Sequence, residues 1–409
     1  MTARQQPWRS AQQHWRSALV RAGEWALPVV LGAYILNATV DWEVPQPGGI
    51  RFGPLWLAVT ILAALGWWMG GRRVTPVAIL ILSSVSGMVL TDMTFIVGQN
   101  LRDLHLYVHA GDHFLNGQPV YLDQLFTVRP KDLSNFPFLY PPMTLPLFAV
   151  LARLPALLVD AGWLALSIAV SVATLRIFGV RGPLLAVFLL WPPFFQGIQV
   201  GNVVVFAGLL FAIAPRWGAG LVIAAIFKLY SGIAALWLVR QGRLRDLVLG
   251  IAIVFGLALA TLPLTGVDRW REWLVGLDWF RASQPYLPGS LYGIGLARFL
   301  PFVVFVGIAA AIVVIALRSR DLESLRRLGV ATIVASPSLY AHGLIVMVPA
   351  MLRLNAPWLW LALGITSVAP GIGWWAAIVL IVASWFASPM RRPDAETPIW
   401  AVDDHRPSA

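Results

Sequence analysis

Long apolar runs separated by short polar links set the pattern of this chain. The first three cover about 24–40, 54–70 and 75–97. After a long polar stretch they resume near 140–153, 156–177, 183–198, 203–215, 218–239, 246–264, 299–317, 328–341, 343–354, 357–369 and 372–388. Several fall short of the ~20 residues that cross a bilayer as one helix. These predict half-helices or re-entrant pairs, whose broken backbone is satisfied by protein or water. The expected fold is all-α: a polytopic transmembrane bundle of about 10–13 membrane helices, some short or re-entrant. Two polar stretches interrupt it, about 98–140 and 265–298, and the first has room for amphipathic helices lying on a membrane surface. Residues 1–22 read as a cytoplasmic, interface-lying segment with Trp8 and Trp15, without the pattern of a cleavable signal peptide. Residues 23–388 read as one membrane domain, and 389–409 as a polar, disordered tail.

Composition supports the membrane reading. Of 409 residues, 58% are hydrophobic and 12% charged, with a mean hydropathy of +0.74. A soluble domain carries about 25% charged residues. The net charge is +11 and is almost wholly arginine, since Lys131 and Lys228 are the two lysines. The arginines cluster in links: Arg72 and Arg73; Arg240, Arg243 and Arg245; Arg318 to Arg327; Arg391 and Arg392. That grouping fits cytoplasmic loops beside anionic lipid and excludes a nucleic-acid partner. The link at 41–49 carries Asp41 and Glu43 instead. Both termini are therefore expected in the cytoplasm of a bacterial-type plasma membrane, with 98–140 and 265–298 outside. The chain has no cysteine, which removes disulfide and thiolate chemistry.

Four polar islands stand out, because ionisable groups at or in a membrane are costly. The first, Asp103 to Tyr121, opens with a carboxylate just past an apolar run. Asp103 suits a general base, or else a helix cap. His105, His109 and His113 recur every four residues and so share a helix face. That spacing fits a metal site or, better, a polar face at the headgroups, and no metal is expected. The second island, Gln196 to Asn202, offers amides for sugar hydroxyls or for capping broken helix ends. In the third, Lys228 lies between apolar arms and needs an anion, such as a phosphate, or an aqueous interface to snorkel to. The fourth, Ser336 to Gly343, is broken by proline and glycine and carries His342, fit to bind phosphate or hand on a proton. Trp270, Trp273 and Trp279 suit stacking on a sugar or an interfacial aromatic belt. Arg281 and its neighbours Arg269 and Arg271 suit an anionic lipid or acceptor.

In this order the islands resemble the polyprenyl-phosphate-dependent glycosyltransferases of family 87, which have the GT-C membrane fold. The family's first outer loop is matched by Asp103, Tyr107, Ala110, Gly117, Pro119 and Tyr121, and its membrane entry by Tyr140-Pro141-Pro142. The later elements are matched by Gln199 to Asn202, by Lys228, and by Ser336-Pro337 to His342. The similarity runs over about 98–355. It departs from the pattern at Leu104, where an aromatic is common, and in the spread of Gln199 and Asn202.

The resemblance implies a polyprenyl-phosphate-linked sugar as donor, with mannose the default hexose, and a glycolipid or polysaccharide acceptor. Asp103 would deprotonate the acceptor hydroxyl outside the membrane, with inversion at the anomeric carbon. Lys228, His342 and either Arg102 or Arg298 would ease departure of the phosphate. Tyr107, Tyr140, Gln199 and Asn202 would help hold the donor. No cofactor is required. A transporter or lipid flippase of similar helix count is the rival reading, but it would favour internal repeats and polar groups at the midplane.

Overall fold

In a computed structural model, residues 101–121, 138–283, 294–368, 371–387 and 390–391 are described. The first three apolar runs, the second half of the first polar stretch and the C-terminal tail lie outside them, as do the expectations placed there. The described residues form helices joined by turns and short irregular links, and contain no strand. An isolated bridge joins Leu354 and Arg391.

Fourteen α-helices are present among the described residues. They are α1 (Arg102–Leu115), α2 (Leu145–Ala152), α3 (Ala156–Ile177), α4 (Pro183–Leu190), α5 (Pro192–Gln199), α6 (Val204–Ile213) and α7 (Ala219–Phe227). Then come α8 (Leu236–Arg240), α9 (Leu244–Ser283), α10 (Phe302–Leu317), α11 (Asp321–Val334), α12 (Val348–Met351), α13 (Ala356–Val368) and α14 (Ile372–Ser384). The fold divides into two compact units.

The larger unit, Gly98–Arg181 with Pro193–Met347, carries all four islands. Several of its helices start at Pro. Proline opens α2 within its first turn, and Pro155 and Pro301 immediately precede α3 and α10. The missing N–H of proline costs nothing at a helix start. Helix α1 crosses α2 at Gly111, where an added Cβ would collide with the backbone of Phe148. Helix α9 is broken at Gly266, whose φ of 68° and ψ of 163° are not helical. The expected loop after 265 is therefore helix as far as Ser283. Its start is marked by the kink, and its apolar positions Trp273, Leu277 and Phe280 recur at helical spacing. They pack inward or line the cavity described below.

Two of these helices are long and apolar enough to cross a membrane, Ala156–Ile177 and the first part of α9. Each rises about 33 Å at 1.5 Å per residue, against a ~30 Å hydrocarbon layer. Their most apolar windows are only 22% and 11% buried inside the protein, so neither is the core helix of a soluble fold. Leu157, Leu158, Val248 and Phe255 stand exposed along them. The surface they present is apolar where a soluble protein needs charge, which makes this a membrane-associated helical protein.

The smaller unit contains 182–192 and the described residues after Val348. Helices α13 and α14 pair there, tied by Trp374 Nε1 donating to Thr366 O at 3.2 Å. Buried Trp191 donates from Nε1 to Thr366 Oγ1 at 2.8 Å.

Candidate active site

Asp103 sits in the first turn of α1 and is 7% exposed. Its placement is fixed by the segment 199–202, which leaves α5 and turns into α6. Leu101 N–H donates to Gln199 O at 2.8 Å and Asp103 N–H to Val200 O at 2.8 Å. Leu101 adopts φ 57°, a left-handed conformation that costs a branched side chain of this kind about 1–3 kcal/mol. The two backbone bonds hold it there. Trp163 Nε1 donates to Gly201 O at 2.9 Å and braces the same segment from α3. Gly201 has φ 70°, and a Cβ on it would press on Leu104 at 2.9 Å. Glycine is required there on both counts.

The carboxylate accepts two side-chain bonds. Arg102 Nε donates to Oδ1 at 2.9 Å, and Asn202 Nδ2 donates to Oδ2 at 2.6 Å. Next to it, the hydroxyls of Tyr107 and Tyr140 bond each other at 2.9 Å. Tyr140 is held in turn by Tyr121, whose hydroxyl donates to Tyr140 O at 2.8 Å. Trp273 Nε1 donates to Leu139 O at 3.0 Å from α9. Burial, then the proximity of the other phenol and of Asp103, pushes the Tyr107 hydroxyl well above its ordinary range. Burial likewise raises Tyr140 and Tyr121. These phenols stay neutral at any working pH.

Lys228 lies at a helix break rather than inside an apolar helix as expected. Helix α7 ends at Phe227, Lys228 is extended at φ −151°, and a 3₁₀ turn follows over Leu229–Ala235. The break frees the side chain to leave the helix face. Its Nζ lies 3.3 Å from His342 Nε2 and within 5.3–5.8 Å of the ring centres of Tyr340 and Tyr230. An ammonium only donates, so Nε2 of His342 accepts and the ring is neutral in this arrangement. His342 itself is buried at the head of the 3₁₀ segment Ala341–Met347, stacked on Tyr340 with rings 5.4 Å apart and nearly parallel.

One cavity joins these groups. Its polar lining includes Arg102, Asp103, Tyr140, Asn202, Lys228 and His342, and Tyr107, Tyr230 and Tyr340 face it too. Leu106, Phe227, Leu277 and Phe280 form an apolar wall. Counted out through its open mouth, it encloses about 1020 Å³. The charged lining comprises two cations and one carboxylate, leaving one net positive charge.

Other expected residues fall elsewhere. Gln199 is buried, does not line the cavity, and its amide has no hydrogen-bond partner among the described residues. Arg298 stands in a 3₁₀ turn away from the lining. Trp270 and Trp273 pack against the cluster built on Tyr107, Phe138 and Phe148, so they support the site from behind. Arg281 is exposed and pairs with Asp278 at 2.7 Å. His105 bonds Asp160 at 3.0 Å, while the rings of His109 and His113 lie 4.1 Å apart, tilted by 55°. Partial burial, then His113, lowers the pKa of His109. Among the described residues no group of three His, Asp or Glu is arranged to hold a metal. Sequence reasoning passed over Tyr230 and Tyr340 as cavity residues. The available signal was an aromatic ring two positions from Lys228 and from His342.

Residues 138–337 match the family model for glycosyltransferase family 87. That match supports the resemblance to the family 87 glycosyltransferases over those residues. The match spans Tyr140, Asn202 and Lys228, while Asp103 and His342 lie outside it. No curated protein and no solved structure matches the chain. A glycosyltransferase of this family takes a sugar donor and an acceptor, and the cavity is the concave site in which the chain brings acid–base and cationic groups together.

Proposed function

We propose that this glycosyltransferase moves a sugar from a polyprenyl-phosphate donor to an acceptor hydroxyl on a glycolipid or polysaccharide outside a bacterial-type plasma membrane. The observation that carries the reading is the make-up of one cavity: a buried carboxylate and a lysine beside a neutral histidine, facing an apolar wall. Such a mixture suits a ligand that is part sugar phosphate and part hydrocarbon. Mannose remains the default hexose.

Asp103 accepts the proton of the acceptor hydroxyl as that oxygen bonds to the anomeric carbon. The bond from that carbon to the phosphate oxygen breaks on the opposite face, so configuration inverts. The electron pair leaves with the polyprenyl phosphate, facing Lys228 and His342. Charge supports this assignment. A sugar phosphodiester carries one negative charge, matching the single net positive charge of the lining. When Asp103 is protonated the lining gains one positive charge, and the departing phosphate gains one negative. The cavity stays balanced throughout, so no step leaves an uncompensated charge in a poorly solvated site. The remaining apolar runs would complete a multi-pass bundle with both termini in the cytoplasm.

The test is donor choice. Purified protein in lipid vesicles is given either a labelled sugar on polyprenyl phosphate or the same sugar on a nucleotide diphosphate. Label reaching acceptor from the lipid-linked donor alone is expected. Transfer from the nucleotide sugar, with the lipid-linked donor ignored, would overturn the reading.

A further inference from the structure

Asn202 lines the cavity, and its sequence context suggested a sugar contact. Its side chain is already committed. The oxygen Oδ1 accepts from Val204 N–H at 2.9 Å. A backbone N–H can only donate, so this bond fixes which end of the amide is oxygen. The NH₂ group must then point the other way, where it meets Asp103 Oδ2 at 2.6 Å. Asn202 and Asp103 are 5% and 7% exposed, so water does not compete effectively for this bond.

We infer that Asn202 is a positioning residue that locks the carboxylate of Asp103 toward the acceptor. This rests on the reading of Asp103 as the base. The same turn that carries Asn202 also takes the backbone N–H of Asp103, at Val200 O. Main chain and side chain of the base are therefore held by one segment, 199–202, anchored at the start of α6. Arg102 holds the other carboxylate oxygen with a charged donor. Asn202 adds orientation without adding charge, which keeps the electrostatic balance of the cavity unchanged. A carboxylate oxygen offers about two lone pairs, so Oδ2 can accept from Asn202 and still take a proton from an acceptor hydroxyl.

The proposal is tested by three variants assayed for sugar transfer with kcat, KM for donor, and pH profile. Asn202→Ser keeps a side-chain oxygen for the turn at Val204 but is too short to reach Asp103. It is expected to unfold near the wild-type temperature, to keep its donor KM, and to lose roughly ten- to a hundredfold in kcat. Asn202→Asp puts a second carboxylate beside the first. Two such groups resist ionising together, so the acid limb of the profile should move up by about one unit or more. This second variant keeps the test open if the serine protein folds poorly. Asp103→Asn is the reference and should be nearly inactive. A silent Asp103→Asn with wild-type kcat and profile in both Asn202 variants would overturn the positioning role alone. A raised donor KM at unchanged kcat would do the same and make Asn202 a donor contact. An active Asp103→Asn would sink the base assignment, and the inference with it.

Discussion

Nζ of Lys228 is surrounded by a neutral imidazole and two tyrosine rings, and no carboxylate pairs with it among the described residues. A cation kept this way is suited to an incoming anion. Lys228→Met should raise the donor KM about tenfold or more while leaving the thermal unfolding temperature near wild type; a titration of lipid-linked donor reads it out. The Tyr107–Tyr140 pair makes a different prediction. Tyr140→Phe removes one hydrogen bond and should destabilise by about 1 kcal/mol, read from chemical or thermal unfolding in detergent. The pH dependence has a definite sign. Both phenols have folded pKa values raised by burial, so the stability they favour is complete below about 10. It is lost as pH rises past that, because the unfolded chain can ionise them and the folded one resists. Unfolding temperature should thus fall more steeply above pH 10 in wild type than in Tyr140→Phe. At this scale Asp103 and Lys228 could be singled out from sequence because a charge beside apolar runs is conspicuous. The commitment of Asn202 could not, since it depends on an oxygen bound to Val204 N–H two residues on and a carboxylate 99 positions away.

Helices α1 and α2 touch through Gly111, with no room for a side chain against Phe148. Gly111→Val should push them apart and destabilise by roughly 1–3 kcal/mol or more, and displace Asp103 enough to slow transfer. Unfolding and activity measured together check it. Element type was plain in the sequence wherever apolar runs were long: α3 and the first half of α9 follow their runs closely. Breaks were harder to see. The helix end at Lys228 has no glycine or proline beside it, and the chain is turned there by packing that no local pattern records. The second half of α9 was hidden for the opposite reason. Asp268, Arg271, Asp278 and Arg281 are solvent-exposed, and their density made a helix look like a loop, although Trp273, Leu277 and Phe280 keep helical spacing.

Among the described residues the longest helices present apolar side chains outward, and Asp103, Asn202, Lys228 and His342 gather at one cavity. Ile168 and Leu166 stand exposed near the middle of α3. An arginine at either position should cost about 2.5–3.5 kcal/mol of membrane insertion and lower the yield of membrane-integrated protein. His109→Arg on the exposed face of α1 should leave that yield unchanged; fractionation of membranes compares the two. This division between an apolar exterior and one charged interior site is what composition foreshadowed through its scarcity of charge. The grouping of islands 100 and 240 residues apart around Asp103 was legible only through their resemblance to a family, because helix crossing, not spacing, brings them together. The central claim is that the carboxylate of Asp103 takes the acceptor proton beside a lipid-borne sugar phosphate. Its most direct measurement is the single-turnover rate of sugar transfer by Asp103→Asn, with bound lipid-linked donor quantified in the same vesicles. The account predicts donor binding within a few-fold of wild type and a rate lower by roughly 10²–10⁴. Wild-type transfer by that variant would contradict it.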